Sequence, residues 1–110
     1  MNDDGFTKVA PLSRFKDRRG ERFLIDDVDV AVYKIDDKFY SISNICPHQH
    51  AAIIHNGFIE NGSVVCPAHG WEFDIVTGKV KSGVGGLSVY ETKIIDGFLF
   101  VKVYKKELNW

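Results

Sequence analysis

Residues 58–74 read FIENGSVVCPAHGWEFD, and the fold class turns on them. Phe58-Ile59-Glu60 and Ser63-Val64-Val65 have strand composition, and Asn61-Gly62 between them supplies the positive φ values that a two-residue type I′ turn demands. The stretch predicts a β-hairpin that runs straight into Cys66. Working outward, the same period of two recurs. Val28, Val30 and Val32 alternate with Asp29, Ala31 and Tyr33; Asp36-Asp37 interrupts; Phe39 to Ile42 resumes the pattern and completes a second hairpin. Ser88 to Ile95, Asp96-Gly97 and Phe98 to Tyr104 predict a third, in whose last arm Leu99, Val101 and Val103 share one face. Toward the N-terminus, Arg18-Arg19-Gly20 reads as a loop and Glu21 to Ile25 as a short strand, while only Pro11 to Phe15 suggests a helical turn. No internal repeat or low-complexity linker appears. The fold class is therefore all-β, with small antiparallel sheets packed as a sandwich or open barrel.

The chain's 110 residues fit one domain, 1–110, with a modest core. Its 14 Lys and Arg against 15 Asp and Glu give a formal net charge of -1, which disfavours a nucleic-acid partner. The opening MNDDGFTKVA is acidic without an apolar run, and no later stretch approaches the roughly 20 apolar residues of a membrane span. Neither nucleic acid nor a membrane is expected as a partner, and the chain reads as cytoplasmic.

Two stretches, Cys46 to Gly57 and Cys66 to Trp71, carry Cys, His and Pro where the alternation stops, so both are placed on loops, where a rigid β scaffold commonly holds its sites. Cys46 and His48 are separated by one residue, Cys66 and His69 by two. A disulfide between the two cysteines is disfavoured in a reducing cytosol. One zinc ion would accept the four side chains, although zinc fingers usually pair Cys with Cys and His with His in each half of the site. One thiolate and one imidazole per loop also suits two metals side by side, one taking both thiolates and the other both imidazoles, as a two-iron, two-sulfide cluster requires.

C-P-H at 46–48 and C-P-A-H-G-W-E-F-D-I-V-T-G at 66–78 resemble the Rieske-type [2Fe-2S] proteins, whose loops read C-x-H and C-x2-H-G. The resemblance is to a small Rieske ferredoxin. Gly57 stands where that family places the glycine closing the first loop, and the hairpin around Asp96-Gly97 matches its closing hairpin. The resemblance implies a cluster-binding subdomain of two loops, approximately 44–86, and one [2Fe-2S] cluster per chain. Cys46 and Cys66 would bind one iron, His48 and His69 the other. Neutral imidazoles in place of two thiolates make an added electron easier to hold, and His-ligated centres lie at about -150 to +300 mV against about -400 mV for plant-type ferredoxins. High-potential Rieske proteins add a disulfide between the loops and Ser and Tyr hydroxyls that donate to cluster sulfurs. This chain has Ala51 and Ala68, Trp71 and Phe73 at those positions, which places it in the lower part of the range. The covering segment, Ser82 to Gly86, lacks the family's proline and is expected to cover the cluster more loosely.

Other residues are assigned plainer roles. His50 is read as a solvent-facing loop histidine and His55 as a polar loop residue; Ile53, Ile54 and Phe58 fill the core beneath the loops; Trp71 shields the cluster or packs on the hairpin; Lys105, Lys106 and Trp110 form a solvated tail. By resemblance the protein is a one-electron carrier with no catalytic residues of its own. It would take electrons from a flavoprotein reductase and pass them to a terminal oxygenase through transient complexes, leaving by His48 and His69. The alternatives are the small Rieske-type subunit of an NAD(P)H nitrite reductase and, in another class, a zinc-stabilised interaction module.

Overall fold

Among the described residues, four two-residue turns set the register of the sheets. Both central residues have positive φ at Asp26-Asp27 (49° and 65°), Asp36-Asp37 (50° and 69°), Asn61-Gly62 (49° and 78°) and Asp96-Gly97 (51° and 78°). This is the type I′ signature, whose twist matches that of the flanking strands. Aspartate tolerates this region better than most residues because its short polar side chain bonds locally. The structure is a computed structural model and describes residues 5–47, 50–68, 70–81 and 85–104.

The strands run Thr7–Pro11 (β1), Gly20–Ile25 (β2), Val28–Ile35 (β3), Lys38–Ser43 (β4), Ile45–Cys46 (β5), Ala51–Ala52 (β6), Phe58–Glu60 (β7), Ser63–Val65 (β8), Glu72–Asp74 (β9), Val89–Ile95 (β10) and Phe98–Lys102 (β11). They form an antiparallel sheet in the order β1-β11-β10-β4-β3-β2, a three-stranded sheet β7-β8-β9 and the short pair β5-β6. No helix among the described residues is long and apolar enough to cross a membrane.

Strand β3 decides how the sheets pack. Val30, Ala31, Val32 and Tyr33 are all fully buried, because the strand is covered on both faces. Val30 and Val32 face one core with Ala10, Phe15, Ile25, Leu99 and Val101, so the large sheet curls until β1 and β2 share an interior. Ala31 and Tyr33 face a second core with Ile42, Cys46, Ile54, Val64, Cys66 and Phe73. The all-β expectation holds, and the wall β3-β4 separates an open barrel from the layer carrying the two loops.

The three expected hairpins form, with β10 starting at Val89 and β11 ending at Lys102. The helical turn is a 3-10 turn at Leu12–Arg14. Three features differ from the sequence reading. β1 pairs with β11 from the far end of the chain and across a register shift between Lys8 and Ala10, so no local pattern announces it. Cys46 to Gly57 begins on the last residue of β5 and contains β6 and a 3-10 turn at Ile54–Asn56 as well as loop. Phe58 is half exposed, since β7 turns Ile59 inward and Phe58 out; of the three residues assigned to the core, Ile54 is fully buried and Ile53 partly so.

Candidate metal centre

Cys46 ends β5 and Cys66 follows β8, and both are buried at the top of the second core. The two loops they open close in the same way. Cys46 C=O accepts from His50 N–H at 2.7 Å, and Cys66 C=O from Gly70 N–H at 3.0 Å, each four residues on and each across a proline at the next position. The closing residue is left-handed in both, His50 at φ 54° and Gly70 at 74°. Cys46 then pairs with Ala51, and Cys66 N–H donates to Trp71 C=O at 2.8 Å. Two tight turns of similar form therefore present one cysteine each toward a common point.

At that point the sulfurs are 3.4 Å apart, and neither cysteine is in a disulfide. This is far beyond a disulfide bond of about 2.05 Å. It is close to the roughly 3.8 Å that separates two thiolates bound at about 2.3 Å to one tetrahedral metal. The donor pair thus fits a single metal ion that draws one thiolate from each loop. His48 and His69 lie outside the described residues, as do Ser82 and the two residues after it in the expected cover, and the Lys105 to Trp110 tail. Among the described residues no group of three or more His, Cys, Asp and Glu side chains stands ready to hold a metal, so His50 and His55 do not join the thiols in such a group.

Close packing holds the stems of the loops together. Gly57 closes the first loop with its N–H on Ile54 C=O at 3.0 Å, and a methyl group at this glycine would collide with the carbonyl oxygen of Val65, the residue before Cys66. Tyr33, from the barrel wall, donates its hydroxyl to Ile54 C=O at 2.6 Å inside the core, where burial pushes its phenol well above the ordinary value. Phe73 is fully buried in the same core as both cysteines, and Trp71 packs against it. After the second loop, Asp74 Oδ1 accepts from Val76 N–H (2.9 Å) and Thr77 N–H (3.0 Å), bonds that hold its carboxyl below the usual range and fold the chain back to Val80.

Sequence reasoning missed Asn44 and Asp29, which lie beneath the first loop. Burial works to raise the Asp29 carboxyl, but hydrogen bonds from Arg22 and Asn44 outweigh it and hold the group below the carboxylate range. The available signal was Asp29 itself, a charge set among alternating valines.

A β scaffold that converges two cysteine loops on one metal defines an iron–sulfur or zinc-binding domain, and the thiols by themselves suit either. Residues 5–90 match the Rieske [2Fe-2S] domain, and the chain belongs to that family. Its cofactor is accordingly a [2Fe-2S] cluster. The chain is 31% identical over 102 residues to the ferredoxin subunit of anthranilate 1,2-dioxygenase from Burkholderia cepacia, covering 91% of this chain and 85% of that one. It resembles the ferredoxin of carbazole 1,9a-dioxygenase from Nocardioides aromaticivorans at a TM-score of 0.81 and 27% identity, over 87% of this chain and 95% of that structure. A structure described as an NADH-dependent nitrite reductase small subunit from Mycobacterium tuberculosis superposes at a TM-score of 0.84 and 21% identity, over 92% and 96%, which is a likeness of fold.

Proposed function

We propose that the protein is a one-electron carrier of an oxygenase system, with Cys46 and Cys66 binding one iron of its cluster and His48 and His69 the other. The observation that carries this reading is the pair of buried thiols, outside any disulfide, 3.4 Å apart at the openings of two similarly closed loops. A cluster held by two thiolates and two imidazoles supplies reversible uptake of a single electron at a potential above that of all-thiolate clusters. The chain's own residues do the rest. The second core, from Tyr33 to Phe73, keeps water from the thiolate side. The loop ends, with His48 and His69, then form the exit toward a partner.

The related ferredoxins of anthranilate and carbazole dioxygenases support a terminal oxygenase as acceptor, and a flavoprotein reductase is the proposed donor. Complexes with both would be transient, since a shuttle must dissociate in each cycle. The chain would then act as a single domain, cytoplasmic, with residues 44–86 as its cluster-binding part and no catalysis of its own. Low-temperature EPR before and after dithionite, with iron and sulfide counted per chain, tests the reading. It predicts two irons and two sulfides, a silent oxidised state and a rhombic reduced signal whose average g lies below that of all-cysteine clusters. Zinc in place of iron would overturn it, and stable co-purification with a sirohaem-containing subunit would move the assignment to the nitrite reductase component.

A further inference from the structure

Asn44 is fully buried two residues before Cys46, and each of its polar groups has a partner. Its N–H donates to Asp29 C=O at 2.9 Å, and its C=O accepts from Ile54 N–H at 3.2 Å. In the side chain, Nδ2 donates to Asp29 Oδ1 at 2.9 Å and Oδ1 accepts from His55 N–H at 2.7 Å. Asp29 is gripped from the other side by Arg22, through Nε at 3.0 Å and Nη2 at 2.7 Å. One residue therefore joins three places: the barrel wall at Asp29, the entry of the first loop, and its exit at Ile54 and His55.

The orientation of the Asn44 amide is fixed from both ends, because Asp29 Oδ1 can only accept and His55 N–H can only donate. Its oxygen consequently also faces His55 Nδ1 at 3.1 Å, a contact that is a hydrogen bond in the tautomer with the proton on Nδ1. In that tautomer the histidine adds a second donor to the oxygen that closes the loop.

We propose that Asn44 is a positioning residue for the cluster. By closing the first loop on itself and tying it to the Asp29–Arg22 pair, it holds Cys46 opposite Cys66 and governs how readily the cluster is lost and at what potential it accepts an electron. The inference rests on the proposed ligand role of Cys46.

The test compares Asn44→Asp with the exchange Asn44→Asp plus Asp29→Asn, measuring cluster loss to an iron chelator by visible absorption, and midpoint potential. The single variant sets two carboxylates against each other, and cluster loss is expected to be at least tenfold faster. In the exchange, the carboxylate at 44 still accepts from His55 and the amide at 29 donates to it; the amide oxygen, in the place of Asp29 Oδ2, keeps the bond from Arg22 Nη2, and the bond from Arg22 Nε is given up. The loss rate should fall at least threefold below that of the single variant, with a midpoint potential below the parent's because a negative charge now sits two residues from Cys46. A parent-like rate in the single variant, an exchange no slower than the single, or an exchange that fails to fold while Asp29→Asn folds, overturns the proposal. The ¹⁵N shifts of His55 in the unaltered protein give a second measurement: Nδ1 protonated supports the clamp, and a proton confined to Nε2 refutes it. A parent protein without a [2Fe-2S] cluster would sink the functional reading instead, and the tautomer would still decide the clamp.

Discussion

Gly57→Ala is predicted to damage the cluster site more than the fold. The added methyl carbon would overlap the Val65 carbonyl oxygen by about 1 Å and press also on Ile54 O and Val65 C, each 3.2 Å away. All three contacts are with backbone, which no rotamer change relieves, so β8 must move away from the first loop's stem. Val65 precedes Cys66 directly, and a displacement of about 1 Å passed along β8 would open the sulfur separation from 3.4 Å toward ~4.4 Å. That exceeds the roughly 3.8 Å available to two thiolates on one tetrahedral metal. Overpacking of this kind costs about 1–3 kcal/mol. Gly62→Ala is the control: its turn position at φ 78° is strained by a side chain, but nothing lies within 4 Å of the new carbon. Its cost is about 1–2 kcal/mol, similar in size, with no push on the loops. Iron and sulfide per chain, and the rate of bleaching by a chelator, should fall and rise respectively in Gly57→Ala while Gly62→Ala stays near the parent. Equal iron content and equal bleaching in the two variants would refute the claim that the stems set the sulfur separation.

Four further outcomes are expected. Phe73→Tyr should raise the midpoint potential by about 40 mV, the one-electron equivalent of a hydrogen bond worth about 1 kcal/mol, if its buried hydroxyl donates to a cluster sulfur; an unchanged potential by redox titration would show that it points elsewhere. Tyr33→Phe removes the donor to Ile54 C=O, which keeps Gly57 N–H as a partner, so urea unfolding should show a loss of about 1 kcal/mol and no more than that. His50→Gly replaces a residue at φ 54° by the type that occupies the matching place in the other loop, and should retain full iron while gaining about 1 kcal/mol; loss of iron would make His50 a ligand. Because the folded Asp29 carboxyl sits below its unfolded value, its stabilisation is complete above the unfolded pKa of about 4 and is lost as pH falls through the folded value. Asp29→Asn should therefore flatten the acid limb of a stability–pH curve, and an unaltered limb would count against the network.

The hairpin turns and the ligand spacing were legible because their information is local. Asn61-Gly62 and Asp96-Gly97 announce positive φ in two adjacent residues, and Asp36-Asp37 is marked by the strand-like runs on both sides, whereas Asp26-Asp27, of the same composition, follows Glu21 to Ile25, a run too short and mixed to read as a hairpin arm. Cys46 and Cys66 declare their chemistry by type and company, and the structure brings them together. What holds them together was not legible. Val30 and Ala31 look like the two sides of an ordinary half-exposed strand, yet both are buried, because the loop layer packs on the face that alternation alone would leave to solvent. Once that second face is covered, Asp29 at the strand's beginning can no longer be a plain surface charge. It is half of an ion pair with Arg22 and the anchor of Asn44, fifteen residues on. Phe58 was misplaced for the complementary reason: a short strand offers two faces, and only the packing of β8 against the core decides that Ile59 takes the inner one. The proposed ligands are thus named by nearly consecutive residues, while the placing of the two thiols depends on contacts such as Gly57 to Val65 and Asn44 to Asp29. Substitutions at those distant supports can alter the centre while all four proposed ligands are kept.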